Sequence, residues 1–422
     1  MPKRLLILTS HDFLRFSNTR IRHLARHLSR DFEETVVVFR RHEVEGKGFL
    51  GRLRAFLGFK KRVFFRDGLK VIELDPWGAR PYGLATRLLG LSNPFEERPE
   101  GAARLLQEAL SAAGGLSDLL AVPSLLRGLS GLGRFRLVIT QGPFEGVVGV
   151  ILKRLGRADF LVCDDADYEP GFAPTRLRQA LIRSAERWGM RRADLVVSVG
   201  RLLAERRRKE YGLKRVLVLP NGVAYTVFSR AQKKVPGAER NLLYMGYLGG
   251  WSGLDLLLAA LKHLRARGRP LPGLLLAGHA DPLYFSAWKE RARRAGIPFR
   301  YLGRFAYEEL VVPLSQATVG WAVFPPIELR RFAFPLKVVE YMAGGLAVLA
   351  TEGTEAGLLV KEHGAGLSLP YRKEAVAEAL LEVFGDREKL QTFGKRGAEA
   401  ARTYDWTLLL ERYRGFLKDL GV

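Results

Sequence analysis

The 422-residue chain has little cysteine and no long apolar run. Its only cysteine, Cys163, excludes an internal disulfide framework and fits a reducing compartment. Without a cluster of cysteine and histidine, a structural zinc site is not expected. No apolar stretch approaches the roughly 20 residues that span a bilayer. The start "MPKRLLILTS" is too short in apolar residues for a signal peptide, so it predicts a first strand in a cytoplasmic protein.

Acidic residues are also scarce relative to basic ones. There are 44 Asp and Glu against 68 Lys and Arg, which gives a net charge of +24. Such a surplus favours anionic partners: nucleic acid, nucleotide phosphates or an acidic membrane surface. The sequence contains no recognised nucleic-acid motif, and we expect no nucleic-acid partner.

Short aliphatic runs alternate with amphipathic helical stretches along the whole chain. Examples are "RLLILTS" (4–10), "ETVVVF" (34–39), "NLLYMG" (241–246) and "LAVLA" (346–350). Near-continuous apolar strands of this kind are typical of parallel sheets covered on both faces. The length favours two domains. We therefore predict an α/β fold with two doubly wound Rossmann-like domains, at 1–230 and 231–402, and a C-terminal helix, 403–422, that returns to the first domain.

The stretch "FAFPLKVVEYMAGGLAVLA" (332–350) places two charges in an apolar segment. Pro335 suits the first helical position and Gly344-Gly345 the end of the helix, so the helix starts at the edge where open parallel sheets bind ligands. Lys337 and the helix N-terminus predict an anion site. Glu340, on the same helical face, can accept two hydrogen bonds from a vicinal diol such as ribose.

The alternative for these charges is a solvent-side pair worth a few tenths of a kcal/mol. Three glycine-bearing loops at the same sheet edge favour the nucleotide site instead, because glycine lets backbone amides approach a phosphate or base closely. These loops are "MGYLGGWSG", "AGHADP" and "LGRF".

The order of these segments over residues 137–410, from "RRADLVVSVG" and "VLVLPNGV" to "FPLKVVEYMAGGLAVLAT", resembles the GT-B glycosyltransferases of family 4. These enzymes take nucleotide-activated sugars as donors. The resemblance implies two domains facing each other across a cleft, transfer with retention of anomeric configuration, and no cofactor other than the nucleotide-sugar co-substrate. No metal is expected if Lys337 and the helix N-terminus neutralise the phosphates.

The resemblance also assigns residues of the second domain. The donor-ribose glutamate falls on Glu340. A first glutamate, which holds the donor sugar, is replaced by Phe332, and the arginine and lysine that clamp the pyrophosphate are replaced by Tyr247 and Ser252. Glu328 and the neighbouring arginines are the expected substitutes. The predicted donor site is Glu340, Lys337, Glu328, Arg330, Arg331, Gly246, Tyr247, Gly303, Arg304 and Phe305, of which the last three form the nucleobase loop.

In the first domain, "LVCDDADYEPG" follows a strand directly. A carboxylate in this loop could orient the acceptor hydroxyl and stabilise charge at the anomeric carbon, and we predict Asp167 for that catalytic role, with Asp164 as second choice. The alternative is that these aspartates are solvated or cap the next helix. His11 and Asp12, after the first strand, are predicted to contact the acceptor.

Residues 46–66, "GKGFLGRLRAFLGFKKRVFFR", hold seven basic residues and no acidic one between Phe and Leu side chains. A basic face beside an apolar face suits attachment to anionic lipid. The alternatives are a helix packed on the first domain and an edge strand at "RVFF". We expect a cytoplasmic protein that associates peripherally with the inner face of the cell membrane.

The predicted function is transfer of a sugar from a nucleotide-sugar to a glycan or lipid-linked acceptor, in cell-surface polysaccharide or glycolipid synthesis. The variant "FPLKVVEYM" resembles surface-polysaccharide transferases. Because both clamp positions lack positive charge, the alternative is a catalytically silent GT-B protein that binds a glycan, lipid or protein partner.

Overall fold

The computed structural model describes residues 3–14, 19–41, 43–44, 58–77, 80–81, 102–173 and 175–422. The chain forms two compact units, Met1–Leu219 with Leu410–Val422, and Pro220–Leu409. The division thus falls earlier than the sequence-based boundary after residue 230. The reason is that the connecting segment is bonded within the second unit: the Val223 N–H donates to the Tyr404 carbonyl at 2.8 Å.

The first unit is built on an eight-stranded sheet with a separate two-stranded pair. Its strands are β1 (Arg4–Thr9), β2 (Glu34–Arg40), β3 (Glu43–Val44), β4 (Lys60–Arg66), β5 (Leu69–Asp75), β6 (Arg80–Pro81), β7 (Phe135–Gln141), β8 (Ala158–Asp165), β9 (Leu195–Ser198) and β10 (Val216–Val218). The large sheet has the order β10-β9-β8-β7-β1-β2-β5-β4. All its pairs are parallel except β4 with β5.

Among the described residues, five helices of the first unit lie between these strands. They are α1 (Arg20–Leu28), α2 (Ala102–Gly128), α3 (Pro143–Arg154), α4 (Arg176–Met190) and α5 (Arg201–Tyr211). Leu5 to Leu8 and Val36 to Phe39 are fully buried, as expected for parallel strands covered on both faces. The strand order reverses between β1 and β7, which makes their carboxyl ends the switch point of the sheet.

The second unit carries a six-stranded, all-parallel sheet. Its strands are β11 (Asn241–Met245), β12 (Gly273–Ala277), β13 (Phe299–Gly303), β14 (Val319–Ala322), β15 (Ala347–Thr351) and β16 (Gly366–Leu369). The order is β13-β12-β11-β14-β15-β16. The chain therefore changes direction across the sheet between β11 and β14, and a ligand crevice is expected at their carboxyl ends.

The helices of the second unit follow the strands on both faces. They are α6 (Tyr225–Phe228), α7 (Leu254–Ala266), α8 (Pro282–Arg294), α9 (Val311–Ser315), α10 (Glu328–Phe332), α11 (Leu336–Ala343), α12 (Glu355–His363), α13 (Lys373–Gly385) and α14 (Arg387–Ala401). Two buried doubly wound sheets are the α/β architecture predicted from the alternating runs.

The last helix, α15 (Trp406–Asp419), enters the first unit at Leu410. There the Arg414 guanidinium donates to the Asp31 carboxylate, with Nε at 2.8 Å from Oδ2. The sequence predicted a returning helix from residue 403; the observed return starts later because Tyr404 and Asp405 are bonded to the second unit. No helix among the described residues combines the length and apolarity needed to cross a bilayer.

Candidate functional site

Helix α11 begins at the switch point of the second sheet. Pro335 is its N-cap residue, whereas the sequence predicted it at the first helical position, which Leu336 occupies. The helix ends at Gly344, and Gly345 follows with φ +73°. Lys337 is therefore the second residue of the helix and Glu340 lies in the next turn. Because β14 neighbours β11, both side chains belong to the crevice that this fold provides for ligands.

The ammonium of Lys337 lies among aromatic rings and one glycine. Its Nζ is 4.8 Å from the ring centre of Tyr244 and 4.7 Å from that of Phe324, contacts that partly offset the loss of water. A Cβ on Gly246, whose φ is +139°, would stand 2.8 Å from Nζ. Glycine at position 246 thus lets the loop backbone after β11 lie directly against the ammonium.

Glu340 is 9% exposed, and Lys337 is half-buried. Within the described part of the chain, neither charged group forms a hydrogen bond or an ion pair. Burial raises the pKa of Glu340 to about 7, against the effect of Lys337. Burial, helped by the charge of Arg330, lowers the pKa of Lys337 to about 7. Buried charges without hydrogen-bonding partners are costly, so this pair is suited to a ligand that carries an anion and a diol.

Helix α10 supplies the other predicted charges of the donor site. The guanidinium of Arg330 lies 5.2 Å from the ring centre of Phe324, the same ring that Lys337 contacts. Arg331 is exposed and lies 5.7 Å from the ring of Phe332. Glu328 is exposed at the start of the helix. Of the two arginines, Arg330 is the one beside Lys337.

Phe332 stands where the resembling family has its first glutamate. The side chain is 5% exposed, so it belongs to the apolar packing under α10. A carboxylate at this position would lose its hydration, and the substitution by phenylalanine is consistent with a site that relies on other groups to hold the donor.

Tyr247 and Ser252 replace the two clamp residues of that family. The Tyr247 ring stacks on Trp251, with ring centres 5.1 Å apart and an angle of 22°, and its hydroxyl donates to Asp281 at 3.1 Å. Ser252 is fully buried, and its hydroxyl accepts a hydrogen bond from the Leu254 N–H at 3.4 Å. Neither residue brings a positive charge, but Tyr247 offers a fixed aromatic face.

The predicted nucleobase loop lies two strands away from β11 at the same sheet edge. Gly303 ends β13 with φ +84°, and its carbonyl accepts a hydrogen bond from the Gly278 N–H at 2.8 Å. Arg304 is exposed and Phe305 half-buried. The structure thus puts this loop on the donor edge and gives it no direct contact with Lys337 or Glu340.

Asp164, the second choice for a catalytic carboxylate, is buried in an ion pair. Both of its oxygens accept hydrogen bonds from the Arg20 Nε, at 3.0 and 2.9 Å, and Oδ2 also accepts one from the Gln141 amide at 3.2 Å. Its side chain has no exposed surface. In this arrangement Asp164 holds Arg20 and links the ends of β7 and β8, and its catalytic role stays a prediction.

Asp167 is half-buried in the loop after β8. The neighbouring Glu169 has its pKa raised to about 8, first by burial and then by the charge of Asp167. The carboxyl group of Glu169 therefore holds a proton near neutral pH, and the carboxyl group of Asp167 lies beside it. The arrangement can both donate and accept hydrogen bonds, which suits the acceptor-side role predicted for Asp167.

His11 and Asp12 follow β1 at the switch point of the first sheet. Burial lowers the pKa of His11, against the charge of Glu145, so the imidazole is neutral at pH 7. Its Nδ1 has no hydrogen-bond partner among the described residues. The Asp12 Oδ1 accepts a hydrogen bond from the Leu14 N–H at 3.0 Å in a local turn. His11 thus brings a buried ring nitrogen without a hydrogen bond to any described residue to this edge of the sheet.

Several residues of these sites were not found from the sequence. Arg20 reads as a surface cation of an amphipathic helix, and only the fold brings it to Asp164, 144 positions away. In the sequence, Tyr244 and Phe324 resemble the core residues of strands. Aromatic residues at the ends of β11 and β14, next to a buried lysine, are the one signal that could have indicated them.

Comparisons with known proteins agree with this geometry. Residues 239–386 match the family described as glycosyl transferases group 1, and residues 17–222 match the glycosyl transferase 4-like domain. A glycogen synthase of Mycobacterium tuberculosis is 28% identical over 236 residues, which is 53% of this chain and 54% of that protein. The matched region thus spans about half the length of this curated relative.

Two solved structures share the fold over nearly the whole chain. Sucrose-phosphate synthase of Thermosynechococcus elongatus is 18% identical with a TM-score of 0.69, over 99% of each chain. Anabaena HepE in complex with UDP is 16% identical with a TM-score of 0.65, over 99% of this chain and 100% of that chain. A further structure of HepE contains UDP-glucose. At these identities the likeness shows the fold alone, which is GT-B.

Proposed function

Because the chain belongs to the group 1 glycosyltransferases, we propose that it transfers a sugar from a nucleotide-sugar to a glycan or lipid-linked acceptor. The observation that carries this proposal is the pair Lys337 and Glu340. Both are charged groups without hydrogen-bonded partners among the described residues, and both stand where β14 leads into α11, at the switch point of the second sheet.

Each group has a defined task in donor binding. The Lys337 ammonium, with Arg330 near it, neutralises the diphosphate, and the Glu340 carboxylate accepts two hydrogen bonds from the ribose diol. The aromatic face of Tyr247 takes the place of a charged clamp. Binding of UDP and UDP-glucose by the HepE neighbour makes UDP-glucose the first donor to test.

The test compares two matched variants, Glu340→Gln and Glu378→Gln, by titration with UDP-glucose and with GDP- and ADP-sugars. Glu340→Gln removes the charge from the acceptor of two proposed hydrogen bonds, so we expect at least about a tenfold loss of affinity for the nucleotide-sugar. Glu378, which is exposed on α13 and outside the predicted donor site, serves as the control, with a change of less than about twofold if the buried carboxylate is the ribose ligand.

Equal affinity in the wild type and in Glu340→Gln would contradict the donor site. Absence of binding to every nucleotide-sugar would favour the second candidate, a catalytically silent GT-B protein, which the uncharged Tyr247 and Ser252 make a definite alternative. Donor binding without turnover in the presence of acceptor would favour it as well.

We further propose that transfer retains the anomeric configuration, as the family resemblance implies, and proceeds without a metal ion. Lys337 and Arg330 supply positive charge for the leaving diphosphate, which supports transfer without a metal ion. Turnover is expected to survive EDTA. A return of activity only upon adding Mg²⁺ or Mn²⁺ would contradict it.

For the acceptor side we propose Asp167, with Glu169 beside it, and His11, which follows β1 at the same edge of the first sheet. The exposed apolar side chains Leu119 and Leu177, 52% and 76% exposed, stand next to the Asp118–Arg178 ion pair that joins α2 and α4. An apolar surface near this edge supports a lipid-linked acceptor in cell-surface polysaccharide or glycolipid synthesis. Asp167→Asn is expected to lower kcat far more than donor affinity.

Membrane association is proposed through strand β4. Residues 46–57 of the basic, apolar stretch lie outside the described residues. Residues 60–66 form an antiparallel edge strand, which is the strand alternative for "RVFF". Val63 and Phe65 are 47% and 79% exposed on one face of the strand. Lys60 and Arg66 are exposed on the other face together with Phe64, which is 37% exposed. Apolar and basic side chains together suit an anionic lipid surface on the cytoplasmic face.

Vesicle sedimentation tests this attachment. We expect binding to vesicles that contain phosphatidylglycerol, little binding to pure phosphatidylcholine, and a clear loss in Phe65→Glu. The control Leu283→Glu makes the same charge change at another side chain that is 75% exposed. An equal loss in both variants would show that net charge alone is responsible.

A further inference from the structure

A cavity lies at the opposite edge of the second-unit sheet from the donor residues. Its volume is about 540 Å³, within the range of small-molecule sites. Its lining residues include Glu239, Thr318 and Gly345, which stand just before β11, β14 and β15. Gly246 and Lys337, in contrast, follow β11 and β14. The cavity is therefore at the amino edge and the donor site at the carboxyl edge of one sheet.

One face of α14 forms a basic wall of this cavity. Arg387, Lys395 and Arg402 line it, eight and seven positions apart, and so lie on one side of the helical path. Among the described residues, Arg387 and Lys395 have no ion-pair partner. A Cβ on Gly394 would lie 2.5 Å from the Gly345 carbonyl oxygen, so this helix packs directly on the turn that ends α11.

The facing wall contributes a fourth cation, Lys234. Its ammonium donates to the carbonyls of Leu314 at 2.9 Å and Gly344 at 2.8 Å, at the ends of α9 and α11. Two of its three N–H donors are thus used, and one is left for a ligand. Burial lowers the pKa of Lys234 to about 7, because it disfavours the charged form of the ammonium.

The remaining polar lining is acidic or neutral. Glu239 and Glu399 line the cavity with Gln391, so four cations face two carboxylates. An inorganic phosphate would fill only part of the volume. The excess positive charge suits a phosphate group, and the carboxylates and the amide suit hydroxyl groups.

We propose that this cavity binds a phosphorylated sugar or polyol, whose phosphate pairs with Lys234 and the basic wall of α14 and whose hydroxyls meet Glu239 and Glu399. Lys234 and Gln232, which donates to the Ala343 carbonyl at 3.0 Å, hold the carboxyl end of α11. The ligand thus acts on the helix that presents Lys337 and Glu340; this consequence, unlike the binding itself, rests on the proposed function.

Isothermal titration of the full chain with ribose 5-phosphate, ribose and inorganic phosphate tests the proposal. Saturable binding of ribose 5-phosphate is expected, with at least about tenfold weaker binding of the other two. The double variant Arg387→Glu/Lys395→Glu should lose at least about tenfold in affinity. The control Arg293→Glu/Arg294→Glu makes the same charge change at side chains that are 78% exposed on α8 and should keep the affinity.

Equal losses in the two double variants would overturn the proposal, because they would show binding by net charge alone. Inorganic phosphate binding as tightly as ribose 5-phosphate would overturn the assignment of a phosphorylated sugar or polyol. Glu340→Gln separates this site from the donor site, since it should weaken UDP-glucose and leave ribose 5-phosphate binding unchanged.

Discussion

Lys337 and Glu340 stand three residues apart on one helix, and each reduces the pKa shift that burial imposes on the other. Neither side chain has a hydrogen bond or ion pair with a described residue. The protonation of Lys337 and Glu340 therefore depends mainly on the burial of the site and on whether a ligand occupies it. This makes the donor site sensitive to pH and costly to the stability of the protein without ligand.

Affinity for UDP-glucose is expected to peak near pH 7. As the pH rises above the lowered pKa of Lys337, about 7, the ammonium that neutralises the diphosphate is lost. As the pH falls below the raised pKa of Glu340, about 7, the carboxylate that binds the diol is protonated. On the acid limb and on the alkaline limb of this profile, the loss of affinity approaches about tenfold per pH unit. Titration calorimetry across this range measures the profile.

The control for this profile is Lys337→Arg. A guanidinium keeps its charge at any relevant pH, so the alkaline limb should flatten while the acid limb remains. Persistence of the alkaline limb in this variant would assign it to another group.

Lys337→Met is expected to raise the melting temperature while it removes donor binding. The pKa of Lys337, about 7, lies below that of a lysine in the unfolded chain, so folding is penalised at pH 7 and below, and the penalty fades as the pH rises further. We expect a gain of about 2 °C or more near pH 6 and a smaller gain in alkaline buffer. The exposed Lys262→Met, on α7 of the same unit, provides the control in differential scanning fluorimetry.

At the scale of elements, the turn before α7 depends on glycine. Gly253 has φ +74°, and a Cβ there would lie 1.9 Å from the Val323 carbonyl oxygen, in the segment that leads from β14 towards α10. A larger residue must therefore displace the backbone that carries the donor site. Gly268 has a similar φ of +64° with nothing within 4 Å, so the two positions separate steric conflict from backbone strain.

Gly253→Ala is expected to cost at least about 3 kcal/mol of unfolding free energy, and Gly268→Ala about 1 kcal/mol, because only the first adds a clash to the strain of a positive φ. Urea denaturation measures both. Equal costs would mean that the segment after β14 relaxes freely around the new methyl group.

Helices α4 and α5 are joined to β8 by a buried charge cluster. The Arg207 guanidinium donates to Asp165 at 2.9 Å and to Glu186 at 2.7 Å, and none of its side chain is exposed. Burial raises the pKa of Glu186 to about 7, even though Arg207 opposes the shift. The cluster anchors the strand that leads to Asp167.

Arg207→Met should destabilise the protein by about 3–5 kcal/mol, because two carboxylates lose their counter-charge. Carboxyl groups whose pKa values are raised in the folded state lose stability as the pH rises, so the loss should be larger at pH 8 than at pH 6. The exposed Lys209→Met, on the same helix, should change the unfolding free energy by less than about 0.5 kcal/mol. A pH-independent loss would argue against ionised carboxyl groups as the cause.

At the scale of the whole molecule, the chain has two sheets, and each compact unit buries its own. Val36 and Val38 belong to the core of the first unit, while Leu242 and Val348 are fully buried in the second. Proteins of this size with separate cores often depart from two-state unfolding. A ligand held by one unit should therefore stabilise that unit selectively.

In scanning calorimetry we expect two overlapping transitions, of which UDP-glucose raises only one. Binding to the folded state stabilises by mass action, and Lys337 and Glu340 both belong to the second unit. The unshifted transition then belongs to the first unit. A single transition whose calorimetric and van't Hoff enthalpies agree would contradict this expectation.

The sequence by itself determined the secondary structure and the donor helix. Apolar runs such as 4–10 and 241–246 predict β1 and β11 because strands buried on both faces need continuous apolar side chains, and Pro335 and Gly345 bound α11 through local backbone preferences. Strands β5 and β16 were not predicted. Strand β4 was predicted only as an alternative at "RVFF", because it is exposed and its pairing partner sets its conformation.

The tertiary structure decided which charges are paired and which remain for a ligand. Asp164 and Lys337 look alike in the sequence, because each is a charge next to an apolar run. The fold gives Asp164 the guanidinium of Arg20, 144 positions away, and leaves Lys337 among aromatic rings. Local sequence encodes backbone preference, but burial and ion pairing depend on groups distant in the chain, and only their positions in space distinguish a structural charge from a binding one.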